Sequence, residues 1–287
     1  MHDCLTPQLV QYPNIDPVLL DLGPIHLYWY GVMYMLAFGV FWLLAYYRIR
    51  KGQLAWDVTT LNDLCFYAAI GAVLGGRCGY VLFYTFEHFL ADPLWLFRIW
   101  EGGMSFHGGL LGVIAAILIW SWRTSQAFWV TMDAIAPMVP AGLGIGRIGN
   151  FINTELPGRV TDFSLGVYFP CESVLEHNYL CFGSFENVTR HLSSIYQFIA
   201  EGIILFLLLW IYSSKPHQTG RVAAAFLLGY AVFRFVTEFF RQPDADLGFI
   251  LFGWITMGQL LSLFMAIGGF TLLLPQVSSR LNKSVAP

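Results

Sequence analysis

The chain has little charge. Of its 287 residues only 11% are Asp, Glu, Lys or Arg, against about 25% in a soluble domain. That is too little to coat a water-facing surface, and the 57% hydrophobic content places the chain in a bilayer. A net charge of −3 and the lack of any basic block exclude nucleic acid as a partner. The metalloprotease pattern His-Glu-x-x-His is missing, and "GMSFH" (Gly103–His107) fails the Gly-x-Ser-x-Gly pattern of a serine protease. The five cysteines include no CxxC and no Cys/His cluster with zinc spacing. Cys171 and Cys181 share one polar loop, where an oxidising compartment would permit a disulfide. The first 25 or so residues mix acids and prolines and lack the basic start of a cleavable signal peptide.

Long apolar runs are present instead. The sequence predicts an all-α, polytopic membrane bundle of about seven transmembrane helices, near 27–47, 61–85, 106–122, 128–152, 194–213, 222–240 and 253–274. Each approaches the ~20 residues that cross ~30 Å of hydrocarbon. Residues 1–287 are read as one integral membrane domain. Residues 154–192 form a small extracytoplasmic head between spans four and five. Trp and Tyr gather in "LYWYGVMY" and "WLFRIW", as at membrane interfaces. Leu90–Ser105 is too polar to span and too aromatic for a free loop, so it is expected to lie in the outer interface. Eight Lys and Arg fall in the loops of one side and four in those of the other. The positive-inside rule then puts the N-terminus outside and the C-terminus in the cytoplasm.

Arg77, Arg147 and Arg234 fall inside spans, where a cation is costly and marks a partner or a function. Arg147 and Asn150 are three apart on one helical face, among Gly142, Gly144, Gly146 and Gly149. Arg147 also lies close enough to the span's outer end to snorkel to headgroups. Tyr230, Arg234, Glu238 and Arg241 follow at steps of four, four and three, one continuous stripe. Arg234 with Glu238 reads equally as a structural ion pair. His107 stands at the mouth of span three beside Gly108 and Gly109, either a satisfied structural group or a proton acceptor. Tyr30 and Glu155 lie near outer span ends. The arginines together leave a positive surplus in the outer half of the bundle. Guanidinium binds phosphate through paired donors, so the residues point to an anionic phospholipid. A lipid transporter or flippase is the competing class, although no inverted repeat is visible.

The motifs "GRIGNFINTELPGR" (Gly146–Arg159), "HLYWYGVMY", "GGRCGYVLFY", "ADPLWLFRIWEGGMSFHGG" and "EFFRQPDA" resemble those of the bacterial prolipoprotein diacylglyceryl transferases, in order, over about residues 25–260. The resemblance implies transfer of a diacylglyceryl group from phosphatidylglycerol to the lipobox cysteine of a preprolipoprotein signal peptide. Glycerol 1-phosphate is released, without metal or other cofactor. It implies the cytoplasmic (inner) membrane as location and membrane lipids as surroundings. By matching motifs, it carries functional roles to Tyr30, His107, Arg147, Asn150, Glu155, Gly158, Arg234, Glu238 and Arg241, with Arg77 and Tyr230 in matching motifs. Of these, His107, Arg147, Arg234, Glu155 and Tyr30 are the catalytic candidates; either His107 or Glu155 would take the thiol proton, unless cationic surroundings suffice. Arg147, Asn150, Gly158, Arg234, Glu238, Arg241, Arg77 and Tyr230 would bind the lipid. The chain departs from the family pattern at Thr154, at Pro157 and in "HLSSIYQ" (His191–Gln197), where the family commonly has "HPSQLYE".

Overall fold

The computed structural model describes residues 10–13, 15–23, 26–169, 188–244, 247–275 and 277. Cys171, Cys181 and much of the expected head lie outside the described residues. The chain is mostly helical. Among the described residues, five helical stretches are long and apolar enough to cross a membrane: Trp29–Arg50 (α1), Val58–Tyr84 (α2), Phe106–Thr124 (α4), Ser193–Tyr212 and Arg221–Phe240. The broken pair Phe128–Ile135 (α5) and Val139–Ile152 (α6) makes a sixth if it is one span, and Met257–Leu273 (α10) is a shorter apolar helix of 17 residues. Large apolar side chains such as Phe66, Leu74, Ile211 and Phe264 stand exposed along these helices. Water would not tolerate that much apolar surface, whereas lipid does. The chain is a multi-pass membrane protein.

The expectation of an all-α chain needs one correction. Among the described residues, two small sheets accompany the helices. Val18–Asp21 (β2) pairs antiparallel with His26–Tyr28 (β3). Val10–Gln11 (β1) runs parallel to Val167–Phe169 (β4), which pairs antiparallel with Val188–Arg190 (β5). Strands of two to four residues show no alternation that a sequence could reveal.

The described residues divide into two compact units. The first draws on Met1–Phe41 and Ala136–Ser278, the second on Trp42–Ile135. The second unit is built on a glycine seam. Gly71, Gly75 and Gly79 of α2 face Gly108, Gly112 and Ala116 of α4; a Cβ on Gly75 would lie 2.4 Å from the Gly108 carbonyl oxygen, and one on Gly112 would lie 2.1 Å from that of Gly71. Three small residues at spacing four on each helix thus let backbone meet backbone. Asp57 caps α2, accepting from the Thr60 amide at 2.7 Å; the Thr60 side chain first and this amide second hold its carboxyl below the usual carboxylate range. Ser105 caps α4.

Between α4 and α2 in this unit, Phe86–Ala91 (α3) and two 3₁₀ turns, Pro93–Phe97 and Ile99–Glu101, form the aromatic segment expected at the interface. Arg98 pairs with Asp92 at 2.9 Å.

In the first unit, Ser193–Gln197 (α7) runs through a π-helical segment, Phe198–Ile204, into Leu205–Tyr212 (α8). Arg221–Thr237 (α9) ends in a 3₁₀ turn, Glu238–Phe240. Thr256 and Gln259 form a capping box at the start of α10.

Candidate active site

The loop that leaves α6 is joined to the end of α9. The Gln242 amide donates to the Pro157 carbonyl at 2.9 Å, the Arg159 amide to Phe240 at 2.9 Å, and the Arg159 Nε to the Arg241 carbonyl at 2.9 Å. Gly158 and Arg241 form a β-bridge. A Cβ on Gly158 would sit 1.9 Å from the His191 carbonyl oxygen, so only glycine fits. Thr154 and Leu156 both hold positive φ, 54° and 56°. Left-handed backbone at non-glycine residues is strained, and such strain concentrates at functional sites. The Tyr12 hydroxyl donates to the Phe151 carbonyl, and burial pushes this phenol above its usual range. Glu155, Gly158, His191, Ser193 and Ser194 line an open hollow of about 260 Å³ beside it.

Inside the unit, this arrangement brings α6, the π segment and α9 together around buried charge. Glu201 has no exposed surface. Its Oε2 accepts from Arg147 Nη2 at 3.1 Å, and its Oε1 accepts from the Thr237 hydroxyl at 2.9 Å. The same Oε1 lies 3.9 Å from Arg234 Nη1. Arg234 in turn lies 2.6 Å from Glu238 Oε2, and Glu238 Oε1 takes the Thr256 hydroxyl at 2.9 Å and Arg241 Nη1 at 3.3 Å. Arg241 also binds Asp244. Arg147 Nη2 reaches the Tyr230 hydroxyl at 3.5 Å. Gly258 makes the room: a Cβ there would meet Glu238 at 2.7 Å and Arg234 at 3.0 Å. The Arg147 and Arg234 side chains keep 17% and 11% of their surface exposed, so neither is fully sealed off.

One turn further along α6, Asn150 donates to Glu155 Oε2 at 2.8 Å, and Asn153 donates to Glu155 Oε1 at 3.3 Å. The Tyr30 ring packs at Gly149, its hydroxyl beside Asn150 and Glu155 and accepting from Tyr34 at 3.4 Å. Tyr30, Arg147, Asn150, Glu155, Gly158, Tyr230, Arg234, Glu238 and Arg241 therefore belong to one unit.

His107 and Arg77 belong to the other. His107 is exposed in the first turn of α4, its ring against Phe106. Arg77 is buried, with its donors on backbone carbonyls: Leu96 at 3.1 Å, Trp95 at 2.7 Å, and Gly102. Its guanidinium also stacks on Trp95 at 4.3 Å. That geometry ties Arg77 to the aromatic segment through backbone carbonyls.

Glu201 is absent from the residues singled out above, although the cost of an ionisable group in hydrocarbon that marks Arg147 applies equally to the carboxylate in "FIAEGII". With Glu201 and Glu238 set against Arg147, Arg234 and Arg241, the expected positive surplus shrinks to a single unit among these five side chains. Gln197, where the family commonly has Glu, is fully buried, and neither polar atom of its amide has a partner among the described residues. Among the described residues no three His, Cys, Asp or Glu side chains gather as metal ligands.

The chain is thus a multi-pass membrane protein with arginines held by buried carboxylates inside its helices. The family model of prolipoprotein diacylglyceryl transferase matches residues 17–275, and the chain belongs to that family. It is 51% identical over 264 residues to the phosphatidylglycerol–prolipoprotein diacylglyceryl transferase of Acinetobacter baylyi, covering 91% of this chain and 92% of the relative. To the protein of the same name from Legionella pneumophila strain Lens it is 49% identical, covering 92% and 98%.

Proposed function

We propose that this chain transfers the diacylglyceryl group of phosphatidylglycerol to the lipobox cysteine of a preprolipoprotein, the first step of bacterial lipoprotein maturation. The similarity to transferases named for these substrates, over nine-tenths of the chain, carries the reading. It favours transfer over a lipid transporter or flippase. In this reading the broken α5–α6 pair and α10 also cross the bilayer, giving seven spans with the N-terminus outside the inner membrane. The residues around 154–192 form the extracytoplasmic head.

The reaction is a displacement at saturated carbon. The cysteine sulfur attacks the glycerol CH₂ bonded to the phosphate oxygen. A C–S bond forms, the C–O bond breaks, and the electron pair leaves with glycerol 1-phosphate. The thiol proton passes to a base, His107 or Glu155. Arg147 and Arg234 hold the phosphate and stabilise the charge that grows on it. Glu238 orients Arg234 and Arg241, Tyr230 steadies Arg147, and Asn150 fixes Glu155, while Tyr30 closes the opposite side of that carboxylate. Gly158 keeps the loop tight enough to bring Arg241 in.

The test is product analysis. Purified protein, phosphatidylglycerol and a lipobox peptide should yield one glycerol 1-phosphate per peptide thioether. Lipid appearing in the opposite leaflet of vesicles, with no thioether, would support the transporter instead.

A further inference from the structure

We propose that Glu201 is a positioning residue whose fixed negative charge sets the spacing of Arg147 and Arg234 and drives the phosphate product out of the site. The proposal rests on the transfer reading for the identity of that product.

Three observations meet at this side chain. First, Glu201 has no exposed surface, yet its two oxygens lie among groups from other helices: Arg147 on α6, with Arg234 and Thr237 on α9. It is the carboxylate between the two arginines, whereas Glu238 pairs with Arg234 from the next turn of the same segment. Second, it sits in the π-helical segment, the kind of widened turn that recurs at functional sites. Third, the adjoining Gly202 meets Gly144 with no room for a Cβ, a Cβ on Gly202 falling 2.7 Å from the Gly144 Cα. That contact brings the carboxylate within reach of Arg147, three residues further along α6. The Thr237 hydroxyl tethers Oε1, so the carboxylate does not simply follow whichever arginine moves.

Charge then decides the direction. Phosphatidylglycerol is a phosphodiester with one negative charge. The product is a phosphate monoester, which carries close to two at neutral pH. Arginines without a counter-charge would bind the product better than the substrate, and turnover would stall on release. A fixed carboxylate beside both guanidinium groups weakens dianion binding roughly twice as much as monoanion binding, because the energy scales with ligand charge. Glu201 thereby holds the two arginines at a fixed spacing at rest, by attracting both, and disfavours the product more than the substrate.

The experiment compares wild type with Glu201→Gln, which keeps shape and loses charge. Two readouts are taken on detergent-purified protein: direct binding of glycerol 1-phosphate, and steady-state transfer with that product added. In Glu201→Gln, product binding should tighten at least about tenfold, because the lost charge stands about one guanidinium's width, roughly 8 Å, from the phosphate and repels a dianion by more than that factor at an effective dielectric near 20. The KM for phosphatidylglycerol should fall by less, and kcat should fall as release slows. Thr237→Val, which frees the carboxylate from its tether, should move product binding the same way by a smaller factor, and it decides the matter if Glu201→Gln does not fold. An unchanged ratio of product affinity to lipid KM in Glu201→Gln overturns the proposal. If wild type transfers nothing, the transfer reading fails, while the binding readout still judges Glu201: tightening keeps its counter-charge role, and no tightening ends it.

Discussion

Gly144 and Gly202 touch backbone to backbone: a Cβ on Gly144 would lie 2.9 Å from the Gly202 Cα. The Arg147–Glu201 contact between α6 and the π segment depends on that approach, because Glu201 adjoins Gly202 and Arg147 follows Gly144 by three residues. Gly202→Val should cost about 1–3 kcal/mol by overpacking and lower transfer at least about tenfold by parting Arg147 from Glu201. Thermal unfolding in detergent beside an activity assay checks both. Wild-type activity with valine in place would mean that the site does not need this contact.

The α2–α4 seam makes a second, separate demand. Gly75→Leu would drive a side chain into the Gly108 carbonyl, 2.4 Å from where the Cβ would stand. The helices must separate, and the melting temperature should drop by several degrees or the protein should fail to accumulate in the membrane. An unshifted melting curve would contradict the backbone-to-backbone packing.

Arg77 tests the distinction between a structural and a lipid-binding arginine. With its donors on Leu96, Trp95 and Gly102 carbonyls, Arg77→Ala strands buried acceptors at about 1–3 kcal/mol. The expected signature is a lower melting temperature with the lipid KM within about twofold of wild type. A large rise in KM at unchanged stability would return Arg77 to the phosphate.

Gln197 predicts the opposite sign. Its amide is buried with both polar atoms unpartnered among the described residues. Gln197→Leu should be neutral or stabilising, since removing an unsatisfied buried polar group removes its desolvation cost. Lost transfer in a stably folded Gln197→Leu would instead mean that the amide meets substrate.

His191 gives a pH dependence. Burial pushes its imidazole below the ordinary histidine value. A depressed base prefers the neutral form when folded, so the unfolded chain binds its proton first. His191 has no effect on stability above about pH 6.5 and destabilises progressively as pH falls from there through its folded value. His191→Phe, which keeps a ring against Phe240 and Tyr196, should flatten that part of the melting-temperature profile. An unaltered acid limb would contradict the assignment.

Much of this site was legible in the sequence, for physical reasons. Tyr230, Arg234, Glu238 and Arg241 announce themselves by spacing, since a helix places such positions on one face, and Arg147 by its cost in hydrocarbon. The grouping of Asn150 with Glu155 was not legible, because it depends on a loop with two left-handed residues, Thr154 and Leu156, neither of them glycine. The π segment carries no spacing signature, so nothing in the sequence told where along its span Glu201 would point. The paired glycines of α2 and α4 were visible one helix at a time. Only the structure shows Gly75 against Gly108.

The most direct test of the central claim is mass spectrometry of a one-cysteine lipobox peptide after incubation with phosphatidylglycerol and the purified protein, wild type beside Arg234→Ala. A diacylglyceryl mass gain on the cysteine with wild type, lost in a folded Arg234→Ala, is the expected result. No gain with folded, lipid-bound wild type would contradict the transferase. Full gain in Arg234→Ala would remove this arginine from the phosphate.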